Sequence, residues 1–262
     1  MLISNTLFGE VDKVQIAIAR IKEFEPPEGY YVAFSGGKDS VVILDLVKRS
    51  GVKFDAHYNI TGIDPPELFY FIRDEHPEVQ RHRPKVTLWK LIVQESMPPT
   101  RLARYCCEHL KEGGGIGRVV MTGVRWAESS KRKQRKVVES CFRKQVKYYV
   151  NPIIDWTDKD VWQYIKKNHV KYCGLYDEGF RRLGCIGCPM GDKQRYQQFK
   201  RWPRIERLYK KAFDIAAKNN IDRFGELDRN GVARWVDGEA MFRWWMQDKH
   251  LKGNPDQSIM FE

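Results

Sequence analysis

YYVAFSGGKDS, residues Tyr30 to Ser40, runs on into VVILDLVKRSG and ends at Gly51. Tyr31 to Ser35, behind Tyr30, are uncharged and mostly apolar, which predicts a buried strand, and Val41 to Lys48 place apolar residues at helical spacing. A tight loop joins the two. Gly36 and Gly37 lack a Cβ, so the backbone there turns sharply and its N–H groups approach an anion closely. Ser40 is expected to begin the helix, whose unpaired N–H groups and dipole favour negative charge, and Lys38 adds a full positive charge. The join predicts a seat for a phosphate chain.

The loop follows neither G-x-x-x-x-G-K-[ST] nor G-x-G-x-x-G. Ser35-Gly36-Gly37-Lys38-Asp39-Ser40 instead resembles the SGGxDS loop of the ATP pyrophosphatases. That resemblance implies a grip on the β- and γ-phosphates of ATP and cleavage between α and β. A plain glycine turn with a serine cap is the alternative, and the strand before and helix after weigh against it.

The chain has 262 residues, enough for one large domain or one domain with an appendage. A hydrophobic content of 42% without a long apolar run predicts a soluble globular protein with no membrane partner. The start, MLISNTLFGEVDK, has neither the basic end nor the apolar core of a signal peptide. Six cysteines without such a signal predict a reducing, cytoplasmic setting, in which clustered thiols serve metal binding or catalysis. Lys and Arg outnumber Asp and Glu by 46 to 34, a net charge of +12. One ATP needs few of those charges, and the remainder suits DNA or RNA. A merely soluble basic surface explains the composition equally well.

Further strands are predicted at 54–61 (FDAHYNIT), 78–84, 118–125 (RVVMTGVR) and 146–153 (VKYYVNPI). Helices are predicted at 11–24, at 67–76 with Asp64 as cap, at 87–96, around Tyr105, and from Asp158, itself read as the cap. The glycines at 113–117 precede a strand, so they read as a helix exit. The alternation predicts an α/β fold, a parallel five-stranded sheet with helices on both faces and its ligand crevice at the strands' carboxyl ends. Residues 1–170 are assigned to this domain, and 171–262 to a cysteine-containing, basic helical C-terminal appendage.

Thr122 to Ser129, TGVRWAES, follows a predicted strand, so Arg125 and Glu128 should emerge at the crevice. Arginine there can pair with phosphate, and a carboxylate can bind a metal ion or orient a nucleophile, although a structural ion pair explains both about as well. SGGKDS, GVRWAES, NPIIDWTDKDVWQYI at 151–165 and LYDEGFRRLGCIGCP at 175–189 together resemble the phosphoadenosine-phosphosulfate reductase family of the pyrophosphatase-loop superfamily. The resemblance covers about residues 30 to 190. It implies an adenine-nucleotide-binding sheet of the HUP type, with Ser35, Gly36, Gly37, Lys38, Asp39, Ser40, Thr61, Gly123 and Arg125 around the nucleotide. It does not by itself fix the reaction.

Cys106 and Cys107 are adjacent, and Cys185 and Cys188 form C-x-x-C. Glycines at 184 and 187 would let the backbone wrap a centre and donate N–H bonds to sulfur. The CC and CxxC pattern resembles the 4Fe-4S ligands of the adenylyl-sulfate reductases and some thiolating relatives. Zinc also suits four thiolates, although adjacent cysteines fit a multi-iron cluster better, and simple buried thiols are the plain reading.

One departure bears on the reaction. Family members that reduce a nucleotide-activated sulfate use a cysteine in a C-terminal tail, and here no cysteine follows Cys188. Only Cys141 and Cys173 lie outside the ligand pattern, both read as structural thiols. The loop also keeps Lys38 and Asp39, so the sequence puts ATP first. The expected reaction is adenylation of an acceptor with pyrophosphate release, Asp39 placing Mg2+ and Arg125 neutralising phosphate charge. The expected acceptor is tRNA or DNA, with sulfur supplied by a donor protein. Sulfonucleotide reduction through Cys141 or Cys173 stands second, and a nucleic-acid-binding Fe-S protein without turnover third. Basic residues at 131–136 and between Lys193 and Lys211 would hold a phosphate backbone. Tyr196, Phe199, Trp202 and Tyr209, interleaved among the latter, would stack on bases unless helical spacing buries them.

Overall fold

The structure, a computed structural model, describes residues 2–6, 9–141, 147–191, 193–224 and 235–247. The chain divides into two compact units. The first comprises Met1–Asn59, Pro66–His82 and Gly114–Leu183, and the second Ile60–Pro65, Arg83–Gly113 and Gly184–Glu262. The single cut predicted at residue 170 is therefore replaced by an interleaved division.

The first unit opens with a hairpin of β1 (Ile3–Thr6) and β2 (Gly9–Asp12), where Ile3 opposes Asp12 and Thr6 opposes Gly9. Asp12 then caps α1 (Lys13–Glu23) by accepting from the Val14 N–H at 2.9 Å, so the first helix begins two residues later than its periodicity predicts. The strands β3 (Tyr30–Ala33), β4 (Phe54–Asn59), β5 (Gln80–His82), β6 (Val119–Met121), β7 (Val138–Cys141) and β8 (Lys147–Val150) form one six-stranded sheet. Their order is β5-β4-β3-β6-β8-β7. All pairs are parallel except β7 with β8, which is antiparallel. The predicted five strands are all present, and β7 is the addition: VESC is short and half polar, too weak a pattern for an edge strand to be read.

The chain moves outward from β3 to β4 and β5, then returns to place β6 on the other side of β3. That reversal is a switch point of the kind that opens a crevice at the strands' carboxyl ends, and the glycine loop follows β3 there. Between β3 and β4 runs α2 (Lys38–Ser50), which buries Val41, Val42, Ile43, Leu44, Leu46 and Val47. Each full burial contributes roughly 1.5–3 kcal/mol, so this helix is held by packing before any ligand arrives. Gly51 ends it in the left-handed conformation, φ 75°. The unit also holds α3 (Pro66–Glu75) and α6 (Asp158–Lys167), with α1 packing on α2 and α2 on α6. Thr157, not Asp158, caps α6, in a capping box with Asp160.

The second unit holds α4 (Leu88–Glu95), α5 (Tyr105–Leu110), α7 (Gln194–Arg201), α8 (Pro203–Phe224) and α9 (Gly238–Met246), with α8 packed on both α4 and α9. Its core is aromatic: Tyr209 lies 4.8 Å from Trp245 and 5.1 Å from Trp89, ring centre to centre. The segment 60–65 belongs here because the Ile186 N–H donates to the Ile63 carbonyl at 2.8 Å. Asp64, expected to cap α3, instead accepts from the Thr61 N–H at 2.8 Å. No helix among the described residues is long and apolar enough to cross a membrane.

Candidate functional site

The loop after β3 is shaped by its small residues. Gly36 has φ 71°, and a Cβ there would stand 2.7 Å from Leu68 Cδ1 and 2.8 Å from Ile72 Cδ1 of α3. Both the backbone angle and the space require glycine. Gly37 is the N-cap of α2, so the helix begins at Lys38, two residues before the predicted start. The Ser40 hydroxyl donates to the Gly37 carbonyl at 2.9 Å and accepts from the Ser35 N–H at 3.2 Å. Ser35 Oγ stands 3.3 Å from it. Ser40, expected as a phosphate ligand, here fixes the shape of the loop.

Beside the loop lies a quartet of charges. Arg125, only 1% exposed, donates from Nε to Asp39 Oδ1 at 2.7 Å, from Nη2 to Asp158 Oδ1 at 2.6 Å and from Nη1 to the Trp156 carbonyl at 3.2 Å. Lys38 Nζ stands 3.3 Å from Asp39 Oδ2 and 3.5 Å from Asp158 Oδ1. Two cations thus face two carboxylates. Against the upward push of burial, hydrogen bonds and charge from Arg125 and Lys38 hold the Asp158 carboxyl below its ordinary range. Arg125 orients both carboxylates in this structure, whereas the sequence assigned it to substrate phosphate. Asp158, read as a helix cap, is the member of the quartet that sequence reasoning missed.

Gly123, expected near the nucleotide, lets the chain after β6 approach α2, since a Cβ there would lie 3.0 Å from Asp39 Cβ and 3.1 Å from the Asp39 carbonyl oxygen. Glu128 accepts from the Arg125 N–H at 2.9 Å and pairs with Arg132, which gives it the place of a capping carboxylate. Thr61 belongs to the second unit, where its buried hydroxyl accepts from Cys185 Sγ at 3.5 Å. Another residue that the sequence did not single out is Tyr176, whose hydroxyl accepts from the Lys38 N–H at 2.8 Å.

Cys106, Cys107, Cys185 and Cys188 all lie in the second unit as free thiols. A hydrogen bond from Cys106 holds the Cys107 thiol well below its ordinary value, against burial and aided by Arg104, whose Nη2 is 3.6 Å from Cys107 Sγ. Burial raises Cys185, and the nearby Lys111 charge opposes that rise. Gly187 sits against the aromatic core: its φ is 75°, and a Cβ would stand 2.6 Å from Phe199 Cζ and 3.0 Å from Tyr209 Cε2. Its N–H, expected to face sulfur, donates instead to Gln198 Oε1 at 2.8 Å. The donor chemistry, four thiols with Arg104 and Lys111 nearby, fits a soft metal or a cluster. Among the described residues no three His, Cys, Asp or Glu donors stand together closely enough to hold a metal ion.

Of the other two thiols, Cys173 is 1% exposed and burial raises its pKa, while the side chain of Cys141 lies outside the described residues. The aromatic residues expected to stack on bases divide sharply. Phe199, Trp202 and Tyr209 are buried and only Tyr196, 58% exposed, faces solvent, which corrects the stacking expectation for the first three. In the 131–136 segment Arg132 pairs with Glu128, and Arg135 pairs with Glu139 at 2.5 Å.

A mostly parallel α/β sheet with an anion-competent glycine loop at its switch point defines a protein of the nucleotide-binding α/β class. The chain belongs to the phosphoadenosine phosphosulfate reductase domain family, whose profile matches residues 29–190. An uncharacterised protein of Methanocaldococcus jannaschii is 28% identical over 228 residues, 78% of this chain and 45% of its own length. A second from the same organism is 29% identical, over 78% of this chain and 51% of its own. The chain thus spans about half the length of these curated relatives. An adenosine 5'-phosphosulfate reductase of Bacillus cereus is 27% identical, over 72% of this chain and 87% of its own length. The crystal structure of a phosphoadenylyl-sulfate reductase from Candida auris, in a phosphate complex, shares the fold at a TM-score of 0.50 and 19% identity, covering 67% of this chain and 88% of its own.

Proposed function

We propose that the chain binds an adenine nucleotide with its acidic chain at the Ser35–Ser40 loop, and that its reaction is thiol-driven reduction of an adenylyl sulfate. The observation that carries this reading is the anion-competent loop within a chain of this family. The name adenosine 5'-phosphosulfate reductase, borne by relatives such as the Bacillus cereus protein, favours it over the ATP chemistry that the sequence put first. In the reaction a thiolate attacks the sulfate sulfur, the S–O bond to the nucleotide breaks, and the nucleoside monophosphate leaves with its electron pair. A second thiol then displaces sulfite and forms a disulfide, which a dithiol reductant restores. Cys173 is unfit for that attack, being sealed in the core with its pKa raised by burial. Cys106, Cys107, Cys185 and Cys188 carry the donor chemistry of a 4Fe-4S cluster or zinc and would have to draw together to hold one, which when bound would supply electrostatic or redox support.

One observation favours a second reading. Lys38 and Asp39 are both retained, and their 3.3 Å pairing gives the loop a cation for phosphates and a carboxylate for Mg2+. That equipment suits ATP, with adenylation of tRNA or DNA, pyrophosphate release and sulfur from a donor protein. The test is anaerobic purification followed by parallel assays on one sample, with iron and sulfide analysis alongside. Sulfite and AMP from adenylyl sulfate with a dithiol reductant support the first reading. Pyrophosphate from ATP, stimulated by tRNA or DNA, with no sulfite released, would replace it with the second. Failure to bind any adenine nucleotide would overturn both.

A further inference from the structure

The first N–H of α2 is already occupied. In a loop-to-helix anion site this amide has no partner within the helix and points at the ligand. Here the Lys38 N–H donates to Tyr176 Oη at 2.8 Å, and that oxygen stands 3.5 Å from the position a Cβ on Gly37 would take. Tyr176 belongs to a single 3-10 turn, Gly174–Tyr176, and its ring is fixed from the side. Trp162 of α6 meets it edge-on at 5.1 Å, Tyr172 lies 6.3 Å away, and those two rings are 5.3 Å apart. A phenol carries one proton and accepts on the same oxygen. The acceptor side is used by Lys38, and among the described residues the proton has no acceptor. Burial raises the Tyr176 pKa further above the range of ordinary assays, so the proton stays in place.

We propose that Tyr176 is a ligand of the substrate's phosphate chain, taking the Lys38 N–H as acceptor and donating its own O–H to an oxyanion seated at the glycine loop. This rests on the nucleotide-binding reading above and adds a residue to it. The loop's first amide is then relayed outward by one hydroxyl, so the anion sits against Tyr176 as well as against the remaining backbone N–H groups. A rigid donor held by Trp162 suits the terminal tetrahedral group of a nucleotide, phosphate or sulfate, because it needs no reorganisation when the ligand arrives. The hydroxyl offers the anion nothing that depends on the base or ribose, so inorganic pyrophosphate is a sufficient probe.

The experiment is titration calorimetry of the full chain with ATP, adenylyl sulfate and inorganic pyrophosphate, on wild type, Tyr176→Phe and Tyr164→Phe. The last removes a hydroxyl bonded to Asp45 and Arg49, away from the loop. Tyr176→Phe is expected to weaken pyrophosphate and adenylyl sulfate about tenfold, the loss of one hydrogen bond to a charged group. Tyr164→Phe should stay within about twofold, and thermal unfolding checks that both variants are folded. Equal binding by wild type and Tyr176→Phe would overturn the inference alone. Tighter binding by Tyr176→Phe would also overturn it, by showing that the hydroxyl competes with the anion for the amide. Wild type that binds none of the three ligands would overturn the nucleotide reading and the inference together.

Discussion

Replacing Arg125 with methionine removes the centre of the charge quartet while keeping much of the side chain's volume. The Trp156 carbonyl loses its donor at 3.2 Å, which costs about 1–3 kcal/mol for a buried acceptor. Asp39, with 22% of its side chain exposed, keeps Lys38 but loses the 2.7 Å bond to Nε, about 1–2 kcal/mol more. Asp158 is 71% exposed, so solvent screens its loss and it adds little. The total is about 3 kcal/mol, at the low end for breaking a buried pair. For a chain of this size that lowers Tm by roughly 6–12 °C at neutral pH. The sign of the pH dependence follows from Asp158, whose folded carboxyl is held below its ordinary value. Its contribution is present above the unfolded carboxylate range and is lost as pH falls through the folded value. The gap between wild type and variant should therefore hold from pH 5 to 8 and narrow only slightly below about pH 4, the ordinary carboxylate range, because the exposed Asp158 adds little to it. Calorimetric scans at several pH values measure it. A variant within 2 °C of wild type at pH 7, on the same size scaling, would refute the view that this quartet braces the loop.

Three other outcomes follow from the geometry. Gly36→Ala meets both a positive φ and the side chains of Leu68 and Ile72, whereas Gly51→Ala has φ 75° with open space around it. Urea denaturation should show the first costing about 1–3 kcal/mol more than the second, the overpacking share, and equal losses would discount the steric argument. Tyr209→Phe strands the Ile186 carbonyl that its hydroxyl holds at 3.0 Å, so stability should fall by about 1–3 kcal/mol and alkylation of Cys185 and Cys188 should quicken. Unchanged rates would detach the C-x-x-C loop from that anchor. In metal-free protein Cys107 should react with iodoacetamide at mildly acidic pH, where an ordinary thiol is protonated, and Arg104→Ala should slow it. A mass spectrum showing Cys106 modified first would reverse the assignment within the pair.

The join of strand, glycine loop and helix was legible because its signal is local: a charge-free strand, two glycines and an amphipathic helix in one continuous stretch. The edge strand β7 was not, since Val138–Cys141 lies next to a lysine- and arginine-rich run and has almost no period of its own. Arg125 was singled out in the segment that follows β6, yet its partners could not be, because Asp158 is equally plausible as a helix cap until the strands are ordered. Tyr176 lies in the 175–189 segment that carries the resemblance but was not singled out there: its bond to Lys38 spans 138 positions and depends on where a single 3-10 turn falls. The aromatic residues of 196–209 looked like stacking platforms because the charges between them face solvent. Phe199 of α7 and Tyr209 of α8 are on the other side of those helices, and Trp202 in the turn between them is buried as well.

The interleaving of the two units sets an order of events during synthesis. The chain passes between them five times, at 59/60, 65/66, 82/83, 113/114 and 183/184, so neither unit is complete when its first segments leave the ribosome. At roughly 5–20 residues per second, Cys106 and Cys107 emerge roughly 4–16 s before Cys185 and Cys188. During that interval α4 has no α8 to cover it, and the vicinal thiols of α5 beside it are open to nascent-chain oxidation and to chaperone capture. The last strand of the sheet, β8, is out by residue 150 and the first unit is whole at residue 183, so the nascent chain should acquire protease resistance in two steps, the half that carries the glycine loop first.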